Sequence, residues 1–536
     1  MTETLTSTRL RSSRSTETDP MRPLITLWLA VPLAAAAGLA MDLASPELSW
    51  WPLAFVSVIV ALATTVGRSI GGALLVGLVF GVTFYSLHLD WVGEFLGPVP
   101  RIALVGLQSM IFGIGAIPIA LAYKWTSRLR RGAVLHVIVV PVLIGVLWVG
   151  REITLGSWPY GGFPWARLGM TQVEGPFPEV ASWVGVTGLS LVIATISASV
   201  VQWLRMGLRF LPATAPAVLL LVGLTVIPQF PTTDAGAFRV GWVQGNGPSG
   251  YFDDRSPGEL LSAQVDATEP LLDRKTDLLV WPEGSAEFDP FRDERAGAVL
   301  DEIVTRSGSP LLGNAATTRG AETFNTSFVW TQDSLDPQIH DKVNPVPFGE
   351  YVPDRWFYEQ LAPDLVGLIQ REYTPGTNAP VVTVGKTAIG LAICFDVIFD
   401  GVIRAGAERD VGLFVFQTNN ADFRGSDENL QQLAFARMRA IQTGKSVVNV
   451  STVGTSQVIA PDGSILATAG VDEVAAEITD VPLRTGTAPG IFVDQWTAPG
   501  IVILGIGAIV GLAIHSRRRS TRLAHLYDDP TRKVEQ

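Results

Sequence analysis

Apolar residues are unevenly spread along this chain. Residues 24–228 and 499–515 carry long runs with few charges, whereas residues 230–497 mix polar and apolar positions as a water-facing domain does. A bilayer is crossed by roughly 17–25 apolar residues in helix. Eight segments read as spans on that rule: 24–41, 52–67, 69–87, 102–123, 133–150, 180–204, 210–228 and 498–515. The second and third almost fuse at Gly67-Arg68-Ser69. The first has the look of a secretory leader, with Arg22 before an Ala-rich run, but its length and the spans that follow it read as a membrane helix.

Between residues 230 and 497 the pattern becomes an alternation of strand and helix. Strands are predicted at 238–244, 277–282, 310–314, 324–331, 380–384, 387–394, 411–417, 446–452 and 455–459, the last two closing the domain. Gly385-Lys386 forms the turn of a hairpin, and Pro461-Asp462-Gly463 a second turn. Helices are predicted at 257–272, 291–307 and 427–443, the last with Leu430, Leu433, Phe435, Met438 and Ile441 on one stripe. This is an α/β domain with both sheet faces covered.

Composition agrees with a membrane protein. Hydrophobic residues make up 48% and charged residues only 17%, too apolar for an ordinary soluble chain. The net charge of −11 argues against nucleic acid as a partner. Basic residues fix an orientation. Arg9, Arg11, Arg14 and Arg22, then Arg68, then Lys124, Arg128, Arg130 and Arg131, then Arg205 and Arg209, then Arg517, Arg518, Arg519 and Arg522 all fall on one side if the spans alternate. The expected organisation is a cytoplasmic basic tail at 1–22, seven spans within 23–229, an extracytoplasmic domain at 230–497, a last span at 498–516 and a cytoplasmic tail at 517–536. The protein is thus expected in the cell membrane, with its α/β domain on the outer face.

Three residues carry the candidate chemistry. Cys394 is the one cysteine in the chain, which excludes an intramolecular disulfide and a cysteine metal cluster. It ends the apolar run Gly390–Ile393, where a buried strand meets a turn. A lone cysteine more often packs as a small hydrophobe. Two other segments favour chemistry here: Leu278-Leu279-Val280-Trp281-Pro282-Glu283 delivers a carboxylate, and Lys342 stands before a Pro-rich stretch. A carboxylate can take a thiol proton, an ammonium can stabilise a thiolate and then an oxyanion, and the thiolate can attack an acyl carbon. Glu283, Lys342 and Cys394 therefore suffice for acyl transfer through a thioester.

Two segments suggest lipid contact. Loop 151–179 interleaves Trp158, Phe163 and Trp165 with Gly and Pro, the composition of an interfacial platform. The long connection after Lys342 holds Trp356, Phe357 and Leu361, costly in open water and suited to a lid against the membrane. The five histidines show no metal spacing, and Gly67-Arg68-Ser69-Ile70-Gly71 matches a serine-hydrolase elbow only by chance, lying between two spans.

At these residues the chain resembles the nitrilase superfamily, and with its spans it is similar to the apolipoprotein N-acyltransferase family within it. The motifs are Gly162–Gly169, Val243–Asn246, Trp281-Pro282-Glu283, Lys342 with Val346–Pro353, Ile393-Cys394, and Ala436–Ala440. The resemblance implies an αββα sandwich, Glu283 as base, Lys342 as oxyanion stabiliser, Cys394 as nucleophile and Glu350 as a second essential carboxylate. It also implies a phospholipid acyl donor, a diacylglyceryl-cysteine lipoprotein as acceptor, and neither metal nor soluble cofactor. The chain departs from the pattern after the nucleophile, where Phe395 and Asp396 replace Tyr and Glu, supporting positions that could alter rate or donor preference. It also has Tyr251 and Phe252 where Trp is frequent, and Phe423 in place of a Trp. A membrane-anchored amidase using the same three residues is the competing reading, with water as acceptor.

Overall fold

The computed structural model describes residues 22–127, 129, 134–206, 215–332 and 337–527. Among the described residues, eight α-helices precede the first strand: α1 Leu27–Leu43, α2 Pro52–Thr65, α3 Ile70–His88, α4 Val92–Leu96, α5 Pro98–Thr126, α6 Val140–Leu155, α7 Ala181–Met206 and α8 Ala215–Leu224. A π-helical turn, Leu135–Val139, runs directly into α6. Among the described residues, five helices are long and apolar enough to cross a membrane: α3, α5, the Leu135–Leu155 unit, Pro178–Met206 and Gly490–Arg518.

The expectation of eight full spans is therefore not met on length. Helix α2 has 14 residues, or about 21 Å at 1.5 Å per residue, against a hydrocarbon core of about 30 Å. Its bounds are set by Pro52 at the first helical position and by Gly67, whose φ of +73° breaks the chain before Ser69 caps α3. Helix α1 has 17 residues and α8 has 10. Part of the predicted 210–228 segment, with Arg209, lies outside the described residues, as do Arg9, Arg11, Arg14, Arg128, Arg130 and Arg131.

The α/β domain is built from twelve strands: β1 Thr233–Gln244, β2 Leu278–Val280, β3 Leu311–Arg319, β4 Glu322–Trp330, β5 Ile339–Asp341, β6 Val381–Val384, β7 Thr387–Ile393, β8 Leu413–Thr418, β9 Ser446–Ser451, β10 Ser456–Ile459, β11 Ile465–Ala469 and β12 Ala475–Thr485. They form two six-stranded sheets, β12-β1-β2-β3-β4-β5 and β11-β10-β9-β8-β7-β6. Strand periodicity of two sorts the side chains. Val240 and Trp242 of β1, Ile389 and Leu391 of β7, and Leu413 and Val415 of β8 meet in the core between the sheets. The alternate residues face outward onto helices. Val243, Leu279 and Phe328 pack against α9 Glu259–Thr268 and α10 Glu294–Ser307. Phe414 and Phe416 pack against α13 Asp400–Ala407 and α14 Glu428–Thr443, in a core continuous with the membrane helices.

The domain does not close at residue 459. Strand β12 returns to pair antiparallel with β1, Val481 opposite Phe238, so the two ends of the domain lie side by side. Chain then enters α15 Gly490–Tyr527, which begins eight residues before the predicted last span. The connection after Lys342 folds into two short helices, α11 Arg355–Leu361 and α12 Pro363–Leu368. Val352, Val366 and Ile369 bury together against Phe95 and Tyr358, while Trp356, Phe357 and Leu361 stay exposed. The excursion thus has a small core of its own and an apolar outer face.

Candidate active site

Each of the three predicted residues sits at the end of a strand. Glu283 follows β2, where Trp281 is fully buried and donates its indole N–H to Thr268 Oγ1 at 3.0 Å. The Trp281 carbonyl accepts from Gln417 Nε2 at 2.6 Å, tying this segment of the first sheet to β8 of the second. Lys342 follows β5, its backbone N–H donating to the Asn325 carbonyl at 2.8 Å. Cys394 follows β7 in left-handed backbone, φ +48°, and opens a single 3₁₀ turn through Ile398. A non-glycine residue held there costs about 1–3 kcal/mol, strain that recurs where a nucleophile is presented on a strand-to-turn elbow.

The charged groups converge. Lys342 Nζ lies 3.4 Å from Glu283 Oε1 and 2.9 Å from Glu350 Oε2, and all three are largely buried. Asn325 Nδ2 donates to Glu283 Oε1 at 2.7 Å and reaches Glu350 Oε1 at 3.3 Å. Its own orientation is set by Asn314 Nδ2, which donates to Asn325 Oδ1 at 3.0 Å. Glu350 also accepts the Val346 backbone N–H at 2.7 Å, which folds the Pro-rich segment around it. Asn325, Asn314 and Gln417 escaped the sequence reading. Their signal was present: amides are depleted in strand interiors, yet these three stand in buried strands.

Burial pushes the Glu283 carboxyl above the ordinary carboxylate range, against the pull of Lys342. Burial also disfavours charge on Lys342, but Glu283, Glu350 and Cys394 together outweigh it and hold the ammonium well above its usual value. The half-buried Cys394 thiol is pushed well up, by burial first and then by Glu283, with Lys342 opposing. The resting sulfur is therefore a thiol, and the Glu283 carboxyl that acts on it electrostatically has itself a raised pKa. Glu428 is pushed up to about 8 by burial, against the Asn420 hydrogen bond.

Phe395 and Asp396 lie in the elbow and do separate jobs. Asp396 is fully buried and accepts from the backbone N–H of Val343 at 3.1 Å and of Asn344 at 2.8 Å, clamping the chain just after Lys342 to the turn just after Cys394. Phe395 packs on Phe163 with ring centroids 5.9 Å apart, bringing loop 151–179 onto the elbow. Gly162 makes that approach possible. Its φ is +82°, and a Cβ there would lie 2.2 Å from the Gly156 carbonyl carbon. Trp165 is buried rather than exposed; it donates to Gln431 Oε1 at 2.6 Å, stacks on Phe163 and packs at a tilt against Trp91. Trp158, by contrast, is 61% exposed. Phe423, Tyr251 and Phe252 all pack around Phe95 at the tip of the bundle, so the substituted aromatics form one seam.

A buried ion network joins the bundle to the elbow. Asp400 pairs with Arg167 of the loop at 2.9 Å and with Arg439 of α14 at 2.5 Å. Arg439 also donates to the carbonyls of Val397 and Ile398 at 2.9 and 2.8 Å. Asp494 of α15 accepts the Val186 backbone N–H at 3.0 Å, where Gly185, φ +73°, kinks α7; a Cβ at Gly185 would lie 2.2 Å from the Asp494 carboxyl carbon. Beside this network a cavity of about 340 Å³ runs between α6, α15 and the segments Val343-Asn344 and Ile398–Val402. Elsewhere, His88 lies near Asp42 and Glu47, a grouping sequence spacing did not suggest; the Gln431 amide, oriented by two indole N–H groups, faces both His88 and Glu47.

Two facing sheets, helices outside each, and a cysteine elbow beside a buried Glu–Lys pair define a nitrilase-type unit, here seated on a membrane-helix bundle. The carbon–nitrogen hydrolase family matches residues 240–488, and the apolipoprotein N-acyltransferase N-terminal domain matches residues 37–199. An apolipoprotein N-acyltransferase from Mycolicibacterium smegmatis is 30% identical over 92% of this chain and 87% of its own length. One from Geobacter metallireducens is 29% identical, covering 91% of this chain and 95% of its own. An amidase structure from Nesterenkonia sp. is similar over 47% of this chain and 93% of its own, at 20% identity and a TM-score of 0.36. This chain belongs to the apolipoprotein N-acyltransferase family; it is a membrane protein and an enzyme of the nitrilase superfamily.

Proposed function

We propose that this protein transfers a fatty acyl chain from a membrane phospholipid, through a thioester on Cys394, to the α-amine of a diacylglyceryl-cysteine at the N-terminus of a lipoprotein. The observation that carries it is the buried cluster of Glu283, Lys342 and Glu350, whose charges all act on the Cys394 thiol. Glu283 takes the Cys394 proton as sulfur attacks the ester carbonyl. Lys342, held by Glu350, faces the developing oxyanion. When the intermediate collapses, the C–O bond breaks, Glu283 protonates the departing lysophospholipid oxygen, and the thioester remains. The acceptor amine then attacks, giving a proton to Glu283. The C–S bond breaks, the amide leaves, and the proton returns to sulfur. Metal and soluble cofactor have no role in this sequence.

Incubation with phospholipid should add one acyl mass to the intact protein, and a diacylated lipopeptide should discharge it as N-acylated product. Free fatty acid as the dominant product with acceptor present would instead support the amidase reading. Transfer is favoured by the bundle itself, because a hydrolase needing only a tether has no use for five helices long and apolar enough to cross a membrane.

The basic loops support placing the α/β domain outside the cell or inner membrane. In a Cys394→Ala background, cysteines introduced at Lys124 and at Ala321 should react with an impermeant maleimide from opposite sides of intact cells. Reaction of both from outside overturns this orientation.

The exposed face of Trp356, Phe357 and Leu361 is proposed to sit in the outer leaflet and admit the donor, with Trp158 beside it. Tyr160 of the same loop donates to Asp354 Oδ2 at 2.9 Å, so loop and lid are joined. Replacing Trp356, Phe357 and Leu361 together with Ser should slow acyl-enzyme formation from vesicle phospholipid by about tenfold or more, and slow it less with a water-soluble short-chain ester. Equal slowing of both substrates would remove the lid from lipid entry.

A further inference from the structure

The Cys394 sulfur has a neighbour that the three converging charges leave unexplained. Gln432, on the face of α14 turned to the elbow and 3% exposed, places Nε2 3.5 Å from Cys394 Sγ. Which end of this amide faces sulfur is fixed by a chain of hydrogen bonds. The Gly454 backbone N–H donates to Ser451 Oγ at 2.9 Å, and the Ser451 hydroxyl donates to Asn420 Oδ1 at 2.6 Å. Asn420 is thereby oriented with its N–H groups toward Gln432 Oε1, at 3.1 Å, and Glu428 Oε2, at 2.7 Å. With Oε1 taken, Gln432 can present only N–H to sulfur. Ser451, Asn420 and Glu428 are all buried, so the chain has no water to rearrange with.

We infer that Gln432 is a further catalytic residue, whose side-chain N–H stabilises the Cys394 thiolate each time it forms as nucleophile or departs as leaving group. Ser451 and Asn420 are positioning residues that aim this donor. The need is physical. Burial and then the Glu283 carboxylate oppose negative charge on sulfur, and Lys342 is shared between Glu283 and Glu350. A donor that faces sulfur alone serves both half-reactions without leaving the oxyanion.

The inference rests on Cys394 being the nucleophile, and its test does not need turnover. Because Cys394 is the one thiol, its alkylation by iodoacetamide in the detergent-solubilised full chain reports its thiolate directly. Gln432→Met keeps the shape and removes the donor. Gln432→Glu keeps the Asn420 hydrogen bond and turns an acceptor toward sulfur. The Met variant should lose about tenfold in thiolate fraction, seen as roughly threefold slower alkylation because a more basic thiolate is the better nucleophile. The Glu variant should be slower again, and both acyl-enzyme formation and its aminolysis should fall in the same order. Ser451→Ala should move alkylation in the same direction by less. Wild-type alkylation rates in both Gln432 variants, with thermal unfolding unchanged, would overturn the inference; so would equal slowing by Met and Glu, which is what lost packing alone gives. If the wild-type protein forms no adduct with phospholipid, the proposed reaction fails instead, and the alkylation series still decides the hydrogen bond.

Discussion

Cys394→Ala should abolish acyl-enzyme formation and lower N-acylation by at least about a thousandfold, the scale on which loss of a covalent nucleophile is felt. The argument starts from a count of one: no second thiol exists to take over. Oxygen does not substitute well, because a hydroxyl at this site would meet the same burial and the same surrounding carboxylates that already push the thiol up. Cys394→Ser should therefore retain little more than the Ala variant. Folding should survive. Alanine accepts the φ of +48° no worse than cysteine, and the loss leaves one amide N–H of Gln432 unpaired, at a cost of about 1 kcal/mol. The check is intact mass after phospholipid, with thermal unfolding alongside. A hydroxylamine-sensitive acyl adduct on the folded Ala variant would mean that the nucleophile is not a thiol.

Lys342→Met should remove activity and stability together. Lys342 is 2% exposed and holds Glu283 and Glu350 within ion-pair reach. Removing one partner of a buried pair costs about 3–5 kcal/mol, because the remaining charge stays desolvated. The sign of the pH dependence follows. Burial already raises the Glu283 pKa, and without Lys342 nothing opposes that rise except Asn325. A group whose folded pKa lies above its unfolded one takes up protons on folding, so the variant should gain stability as pH falls toward the unfolded carboxylate range. Loss of activity should match or exceed that of one oxyanion donor, about a hundred- to a thousandfold in kcat. Thermal unfolding at pH 5 and pH 8 measures the first effect. A Met variant as stable as the wild type at pH 8 would show that the carboxylates do not depend on this ammonium.

The sandwich strands β1, β4, β7, β8 and β9 were legible because each is a short run rich in apolar residues, alternating in β1, β4 and β7 and continuous at Leu413–Phe416 of β8. Strand β12 was not. Ala475-Ala476-Glu477-Ile478-Thr479-Asp480-Val481-Pro482 has little alternation, and it is a strand because β1 offers it an edge. Lengths of α1 and α2 misled in the other direction. The predicted 52–67 segment starts at Pro52 as the helix does, but the helix stops at Thr65, short of Gly67, because backbone geometry outranks hydropathy at a helix end.

Sequence alone determined the division into an apolar helical part and an α/β part, because burial in lipid and burial beneath a water-facing surface demand different residue patterns. It also singled out Glu283, Lys342 and Cys394 as candidates, since one cysteine, one strand-end carboxylate and one Pro-flanked lysine stand out as chemistry. Tertiary structure decided everything that depends on approach between distant segments. Asn325, 42 residues from Glu283, became its hydrogen-bond partner through the pairing of β3 with β4. Trp165 became a buried tie to α14 instead of a lipid platform. Gln432, 38 residues beyond Cys394, came to face its sulfur only because α14 lies across the end of β7. Hydrogen bonds act over about 3 Å, and no pattern along a chain records which residues folding brings that close.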